Sequence, residues 1–433
     1  MTDAALTPAQ AAKARVRAEA EARLKRRYRA EARFRWYGRA AIFLALAFLV
    51  VLLGRIGLQG YSTFTDYRIS LPVQVDAARV DVSDLAGSNF NLMVAESALA
   101  VLGETDDDYG EASSRMMALL SSDLGFQVLD RLREDPSLVG QTITVQGPMK
   151  ANASLYYKGQ MSRDTELGGR LLDDRQLDWL DELRDQGLVR GGFNWTFLSR
   201  SDSTEPEQAG VLGAVVGSAM MLLVTALLAA PIGVLAATYL EEFAPKNRWT
   251  DLIEVNINNL AAVPSIIYGL LGLAVFINVL AVPRSSPLLG GLVLALMSLP
   301  TIIIATRSAL KAVPPSIREA ALAVGASRTQ TVFHHVLPLA LPGIMTGTIL
   351  SLAHALGETA PLLMIGMVSF VPGVPETLTS AATVLPVQIF IWENASERAF
   401  HERTAAAIIV LLVFMVIMNL AAVLLRRRFE RRW

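Results

Sequence analysis

Six apolar runs, each close to the ~20 residues a helix needs to cross a bilayer core of roughly 30 Å, restrict this chain more than any other feature. They lie near residues 40–58, 211–239, 258–281, 287–306, 344–366 and 404–425. Gly54 and Arg55 interrupt the first, which makes it the weakest. Its long basic leader and the lack of an Ala-x-Ala site favour an uncleaved anchor over a signal peptide. The fourth is short before Pro300 and can continue past it. The chain is read as an all-α polytopic membrane protein with six transmembrane helices.

Charge orients the spans. Residues 1–39 carry eleven Lys/Arg against four acids, and residues 60–208 carry twenty-five acids against thirteen Lys/Arg. The chain ends in Arg426, Arg427, Arg428, Glu430, Arg431 and Arg432. Positive residues stay on the cytoplasmic side. Both termini are therefore expected inside, together with the 241–257 and 307–343 loops, and the acidic 60–208 region outside. The expected order is a basic tail over 1–39, an anchor over 40–58 and an extracytoplasmic domain over 59–208. A transmembrane domain over 209–425 and a basic tail over 426–433 follow. With no cysteine, the chain has no disulfide staple and no thiol chemistry.

The exported region reads as a mixed α/β insert between the first two spans. Strand patterns cover 67–71 and 142–145, and helical spacing covers 91–103, 113–133 and 174–188. Its role is open between a scaffold and a docking surface for an exported partner.

The 307–343 loop carries Arg318, Glu319, Ala320, Ala321, Leu322, Ala323, Val324 and Gly325, then Leu337 and Pro338 twelve residues on. The alanines leave one face of a short helix open to a partner. Gly325 permits a positive φ at its end, and Pro338 and Pro342 are expected to break the next helix. This pattern resembles the coupling (EAA) loop of ABC-importer permeases, which receives force from an ATPase subunit. His335 stands where an apolar residue is more usual in that family.

The resemblance sharpens over residues 194–366. The strings Asn194-Trp195-x-Phe197, Ala230-Pro231-Ile232-Gly233, Tyr239-Leu240-Glu241-Glu242-Phe243, Asn258 to Leu270, and Ala355-Leu356-Gly357-Glu358-Thr359-Ala360-Pro361-Leu362-Leu363 carry it. Together they are similar to the PstA-type permeases of bacterial phosphate ABC transporters. That resemblance implies an inner-membrane permease subunit for phosphate uptake with the type I ABC importer core. It further implies a homologous second permease, two copies of a cytoplasmic ATPase and an extracytoplasmic phosphate-binding protein as partners. ATP and Mg would be used by the ATPase, with no cofactor on this chain. An arginine often stands near the position of His354 in that family.

Glu358 lies about fourteen residues into an apolar span, roughly 20 Å deep at 1.5 Å per residue. A carboxylate there needs a partner, water or a proton. One reading is that it accepts a hydrogen bond from a protonated phosphate oxygen, which sulfate cannot offer. The other is a structural carboxylate capped by Thr359 or by a basic group of a second subunit. His354 is one turn before it and could pair with it. Gly357 and Pro361 bracket it, where glycine allows close helix approach and proline invites a local break. Arg307 is either a snorkelling anchor or a cation at the inner mouth. Ser265 and Tyr268 could line the path or bond within the core. The four histidines show no trusted metal spacing.

No G-x-x-x-x-G-K-[ST] loop is present, so the chain does not hydrolyse ATP by that route. The competing readings are a permease for another oxyanion such as sulfate or molybdate, a membrane-anchored sensor using the 59–208 domain, and a stand-alone channel. The sensor needs an output domain that is not expected beyond the last span. The channel has no use for a coupling helix.

Overall fold

The computed structural model describes residues 8–81, 84–104, 110–161, 163 and 171–429, without the side chains of residues 8–22 and 86. Residues 1–7 of the basic head, and Glu430, Arg431 and Arg432 of the basic tail, lie outside the described residues. The chain divides into two compact units, residues 1–58 and 59–433.

In the first unit, α1 (Pro8–Gly60) is a single helix. Gly54 and Arg55, which interrupt the apolar run, lie within the helix without breaking it. Phe43, Phe48 and Val50 are exposed, as suits a hydrocarbon environment.

The second unit opens with an α/β domain. Strand β1 (Thr65–Gln74) is central in an antiparallel sheet, flanked by β2 (Thr142–Pro148) and β3 (Val189–Phe193). Register pairs Leu71 with Val145 and Ile69 with Val189. Proline in a central strand normally removes a ladder bond. Here β3 pairs only with residues 65–69, and the Ser70 amide already bonds Leu188 O beyond its end. The missing donor of Pro72 faces the same side, past β3. Alternating Ile69, Leu71 and Val73 bury one face against the helices. These are α2 (Phe90–Val101), α3 (Glu111–Met117), α4 (Asp123–Glu134), α5 (Ala151–Tyr157) and α6 (Asp174–Asp185). The Asn89 side chain caps α2, and a reciprocal Asp173–Gln176 capping box starts α6. The expected single helix over 113–133 is two helices. Between them Leu119 O accepts the Lys150 amide and Leu120 bridges Met149, so tertiary pairing overrides local periodicity. The strand β3 was not expected. Its Val-Arg-Gly-Gly-Phe sequence offers no alternation.

After α7 (Trp195–Ser199) comes the helical core. Its members are α8 (Leu212–Thr238), α9 (Arg248–Ala261), α10 (Ser265–Leu271), α11 (Pro287–Lys311), α12 (Pro315–Ala323), α13 (Arg328–Thr331), α14 (Leu337–Gly357), α15 (Ala360–Met364), α16 (Leu385–Glu393) and α17 (Arg398–Phe429). Five described helices are long and apolar enough to cross a membrane, or six if the α9–α10 pair counts as one broken span. That pair is bent by 105° at Val263-Pro264, so the apolar run expected to cross near 258–281 is broken at its proline. The fourth span does continue past Pro300, to Lys311. Pro338 and Pro342 do not break their helix as expected. A π turn over Val332–Val336 leads into α14, Pro338 sits in its first turn where no donor is needed, and Pro342 lies inside it.

The α/β domain joins the core through buried charge. Lys158 Nζ pairs with Glu402 Oε1 at 2.8 Å, with both side chains buried to about nine-tenths. Thr63 Oγ1 donates to Glu402 O at 3.0 Å, and Asn194 Nδ2 donates to Thr63 O at 2.9 Å. Arg403 Nη1 donates to Ala209 O at 2.5 Å. Asp66 Oδ2 and Glu207 Oε1 are buried without a hydrogen-bond partner among the described residues. Burial, aided by neighbouring Glu205, pushes the Glu207 carboxyl up to about 7. Its folded form therefore holds a proton more tightly than the unfolded chain does. That contribution is complete below about 4.5 and is lost as pH rises through about 7. At one proton per 1.36 kcal/mol per unit the loss is roughly 3 kcal/mol. Thermal melts of Glu207→Gln are expected to show a more stable protein than the parent at pH 8 and little difference at pH 5.

Candidate functional site: a helical elbow and a broken span

Helix α12 starts at Pro315, whose fixed φ suits a first turn. It ends in a Schellman motif: the Ala326 amide donates to Ala321 O at 3.1 Å and the Gly325 amide to Leu322 O at 3.0 Å. Gly325 has φ +89°, as expected from the sequence. A Ser327–Gln330 capping box then opens α13. Arg318 holds the elbow from beneath. It donates to Glu242 Oε1 at 2.6 Å, Val313 O at 2.8 Å and Leu310 O at 2.9 Å, so it satisfies one carbonyl in the last turn of α11 and one just beyond its end. Ala321 packs inward. Glu319, Ala320 and Ala323 face out, beside Leu322 at 51% and Val324 at 85% exposure. A small, apolar-tipped surface with one carboxylate is thus presented on a braced support. Leu337 is half-buried and Pro338 exposed at the far end of the same segment.

Arg307 is neither a free anchor nor a free cation. Its Nη2 pairs with Glu254 Oε1 at 2.6 Å and its Nε with Glu241 Oε2 at 3.2 Å, and its side chain is largely buried. Sequence reasoning missed Glu241, Glu242 and Glu254. Their signal was two adjacent acids at the end of an apolar span, opposite a loop rich in arginine.

The second feature is the end of α14. The helix stops at Gly357, and Glu358 is extended at φ −77° and ψ 125°. The next turn restarts at Ala360, where Thr359 O accepts the Leu362 and Leu363 amides. Pro361 cannot donate to a preceding turn, which favours the break. Glu358 Oε1 lies 3.1 Å from His354 Nε2, with the carboxylate 19% and the imidazole 72% exposed. The partner found is His354 rather than Thr359. The expected close packing at Gly357 is absent, since a Cβ there would meet nothing within 4 Å. Close approach occurs instead at Gly269, where a Cβ would fall 2.7 Å from Pro361 Cα. The bent α9–α10 pair therefore braces the break. Tyr268 shares that contact region. It is buried with Ala355 and Leu362 and donates to Leu260 O at 2.8 Å, which places it in the core rather than on a path. Ser265 is half-buried at the start of α10. His354, Gly357, Glu358, Thr359 and Pro361 thus meet at one break, while Arg307 belongs to a separate ion cluster. No group of His, Asp and Glu among the described residues could hold a metal ion.

Comparison with known proteins places this geometry. A family model described as the binding-protein-dependent transport system inner membrane component matches residues 229–433. The probable ABC transporter permease YqgI of Bacillus subtilis is 34% identical over 172 residues, 40% of this chain and 58% of its own. The phosphate transport system permease PstA 1 of Mycobacterium tuberculosis is 32% identical over 239 residues, 55% of this chain and 77% of its own. The chain belongs to the PstA-type permease family.

In this PstA-type permease the family match takes in the elbow, the broken span and the last helix. The chain spans under two thirds of the Bacillus relative's length. A second model, described as a domain of unknown function (DUF3333), matches residues 21–166, including much of α1 and most of the α/β domain. The MetNI methionine ABC transporter in an inward-facing form aligns with 50% of this chain and 95% of its own, at 18% identity and a TM-score of 0.43, too loose a likeness to argue from. The permease is a multi-pass inner-membrane protein.

Proposed function

We propose that this permease is one membrane subunit of an ATP-driven importer of inorganic phosphate. The observation that carries the reading is the Glu358–His354 pair at a break in an apolar helix. A broken helix exposes backbone groups only where they line a cavity or are covered by protein. Glu358 accepts a hydrogen bond from a protonated phosphate oxygen while His354 Nε2, 3.1 Å away, holds the carboxylate in place. Sulfate carries no such proton at neutral pH and is rejected for want of the donor. The relatives named as phosphate transport permeases support the choice of cargo over sulfate or molybdate.

The elbow over 316–338 receives a cytoplasmic ATPase, two copies of which act with this chain and a homologous second permease. Its outward Leu322 and Val324 enter a cleft of the ATPase, and the Arg318 brace carries the displacement to α11. Both chain termini lie inside and the α/β domain outside, where an extracytoplasmic phosphate-binding protein delivers cargo. ATP and Mg are used by the ATPase, and this chain acts as a transport subunit without its own nucleotide chemistry. The test is uptake of labelled phosphate by cells lacking this chain, with the gene restored or not, in the absence and presence of excess sulfate. Restored uptake that sulfate does not compete supports the reading. Restored sulfate uptake would give the cargo to the other oxyanion.

A further inference from the structure

We propose that the groove between α14 and α17 binds an anionic phospholipid, with one acyl chain between the helices and the phosphate on Arg426. The groove is lined by Ile349, Leu352 and Leu356 on one side and Met415, Met418 and Ala422 on the other, with Leu222 of α8 at its back, and Asn419 is its one polar lining residue. Its walls run antiparallel, because Arg426 Nη1 donates to Thr346 Oγ1 at 3.0 Å one turn beyond Ile349 and Ala422. The apolar slot therefore opens at its end onto a guanidinium. Flexible methionine and leucine walls suit a mobile hydrocarbon chain, and the slot is too narrow for a helix, whose diameter with side chains is about 10 Å or more.

The guanidinium is under-used by the protein. Nη1 is on Thr346, while Nε is buried with no acceptor among the described residues. A guanidinium has five donors in a planar fork that matches phosphate oxygens. Arg427 and Arg428 follow and are exposed. At 3.6 residues per turn they lie on other faces of α17 than Arg426, so they meet the membrane surface at large and not the mouth of the slot. An apolar slot that ends in a partly unsatisfied arginine has the two-part chemistry of a phospholipid. Free phosphate shares the headgroup chemistry but would leave the slot empty. This site is independent of the cargo and of the ATPase.

The test uses the full chain purified in detergent and titrated with dioleoylphosphatidylglycerol or dioleoylphosphatidylcholine, bound lipid being counted by native mass spectrometry. The anionic lipid is expected to be retained roughly fivefold better, the ratio that one arginine near the surface supplies. Arg426→Gln should bring the two lipids to parity. Ala422→Phe, which leaves every charge in place, should reduce retention of both. Arg428→Gln should leave the preference standing, and excess inorganic phosphate should not displace the lipid. Equal retention of both lipids by the parent would overturn the proposal. So would an equal loss in Arg428→Gln, which would mean diffuse charge, or displacement by inorganic phosphate, which would mean a simple anion site. Unchanged retention in Ala422→Phe would show that the slot holds no chain.

Discussion

Replacing Glu358 by glutamine is expected to lower phosphate uptake at least roughly tenfold and to narrow the discrimination against sulfate. Hydrogen bonds to charged groups contribute about 1.5–3 kcal/mol, and each 1.4 kcal/mol is a factor of about ten. Glutamine keeps the shape and one weaker acceptor but loses the charge that both His354 and a phosphate proton seek. A simple structural role has a different signature. If Glu358 exists to satisfy His354, then His354→Gln alone should reproduce the defect, and the double variant should add nothing. If Glu358 meets the cargo, His354→Gln should be the milder change, and the loss of sulfate exclusion should belong to Glu358→Gln only. The double-mutant cycle separates the two because the residues are in contact, at 3.1 Å. Wild-type uptake with intact sulfate exclusion in Glu358→Gln would remove the cargo role.

The second large effect is at the elbow. Gly325→Val should abolish ATP-dependent uptake while the chain still folds and reaches the membrane. A Cβ at this position would meet nothing within 4 Å, so the damage comes from the backbone. At φ +89° a β-branched residue is strained by roughly 1–2 kcal/mol or more. The strain is relieved by opening the Schellman turn, which unseats Val324 and Leu322 from their outward position. Gly325→Asn, which tolerates a left-handed backbone better, should retain a large part of the uptake. Paired uptake and membrane-abundance measurements check this, and equal activity of the valine and asparagine variants would show that the turn geometry is not needed.

Features set by neighbours in the chain were legible in the sequence. The positive φ of Gly325 follows from a glycine at the end of an alanine-rich helix, and the His354–Glu358 contact from a spacing of four. The break after Gly357 was foreshadowed by the glycine and proline on either side of the carboxylate. Prolines act unequally. Pro264 bends its run sharply, whereas the break expected at Pro342 is absent, because a π turn and the packing around α14 supply what the ring removes. Pairings between distant segments could not be read. Arg307 meets acids 66 and 53 positions away, and Arg318 meets Glu242 across 76. The Lys158–Glu402 pair joins residues 244 positions apart. Only folding brings such charges together, and a charge count sees them merely as loop composition.

The absence of native cysteine allows the central claim to be tested directly, because a single Val324→Cys substitution is then the only thiol in the chain. In sealed, oriented membranes stripped of the ATPase, an impermeant maleimide added from the outer side should leave it unlabelled. Reagent on the inner side should label it, and an added ATPase should protect it or cross-link to it. Labelling from the outer side, or inner-side labelling that the ATPase never alters, would contradict the account.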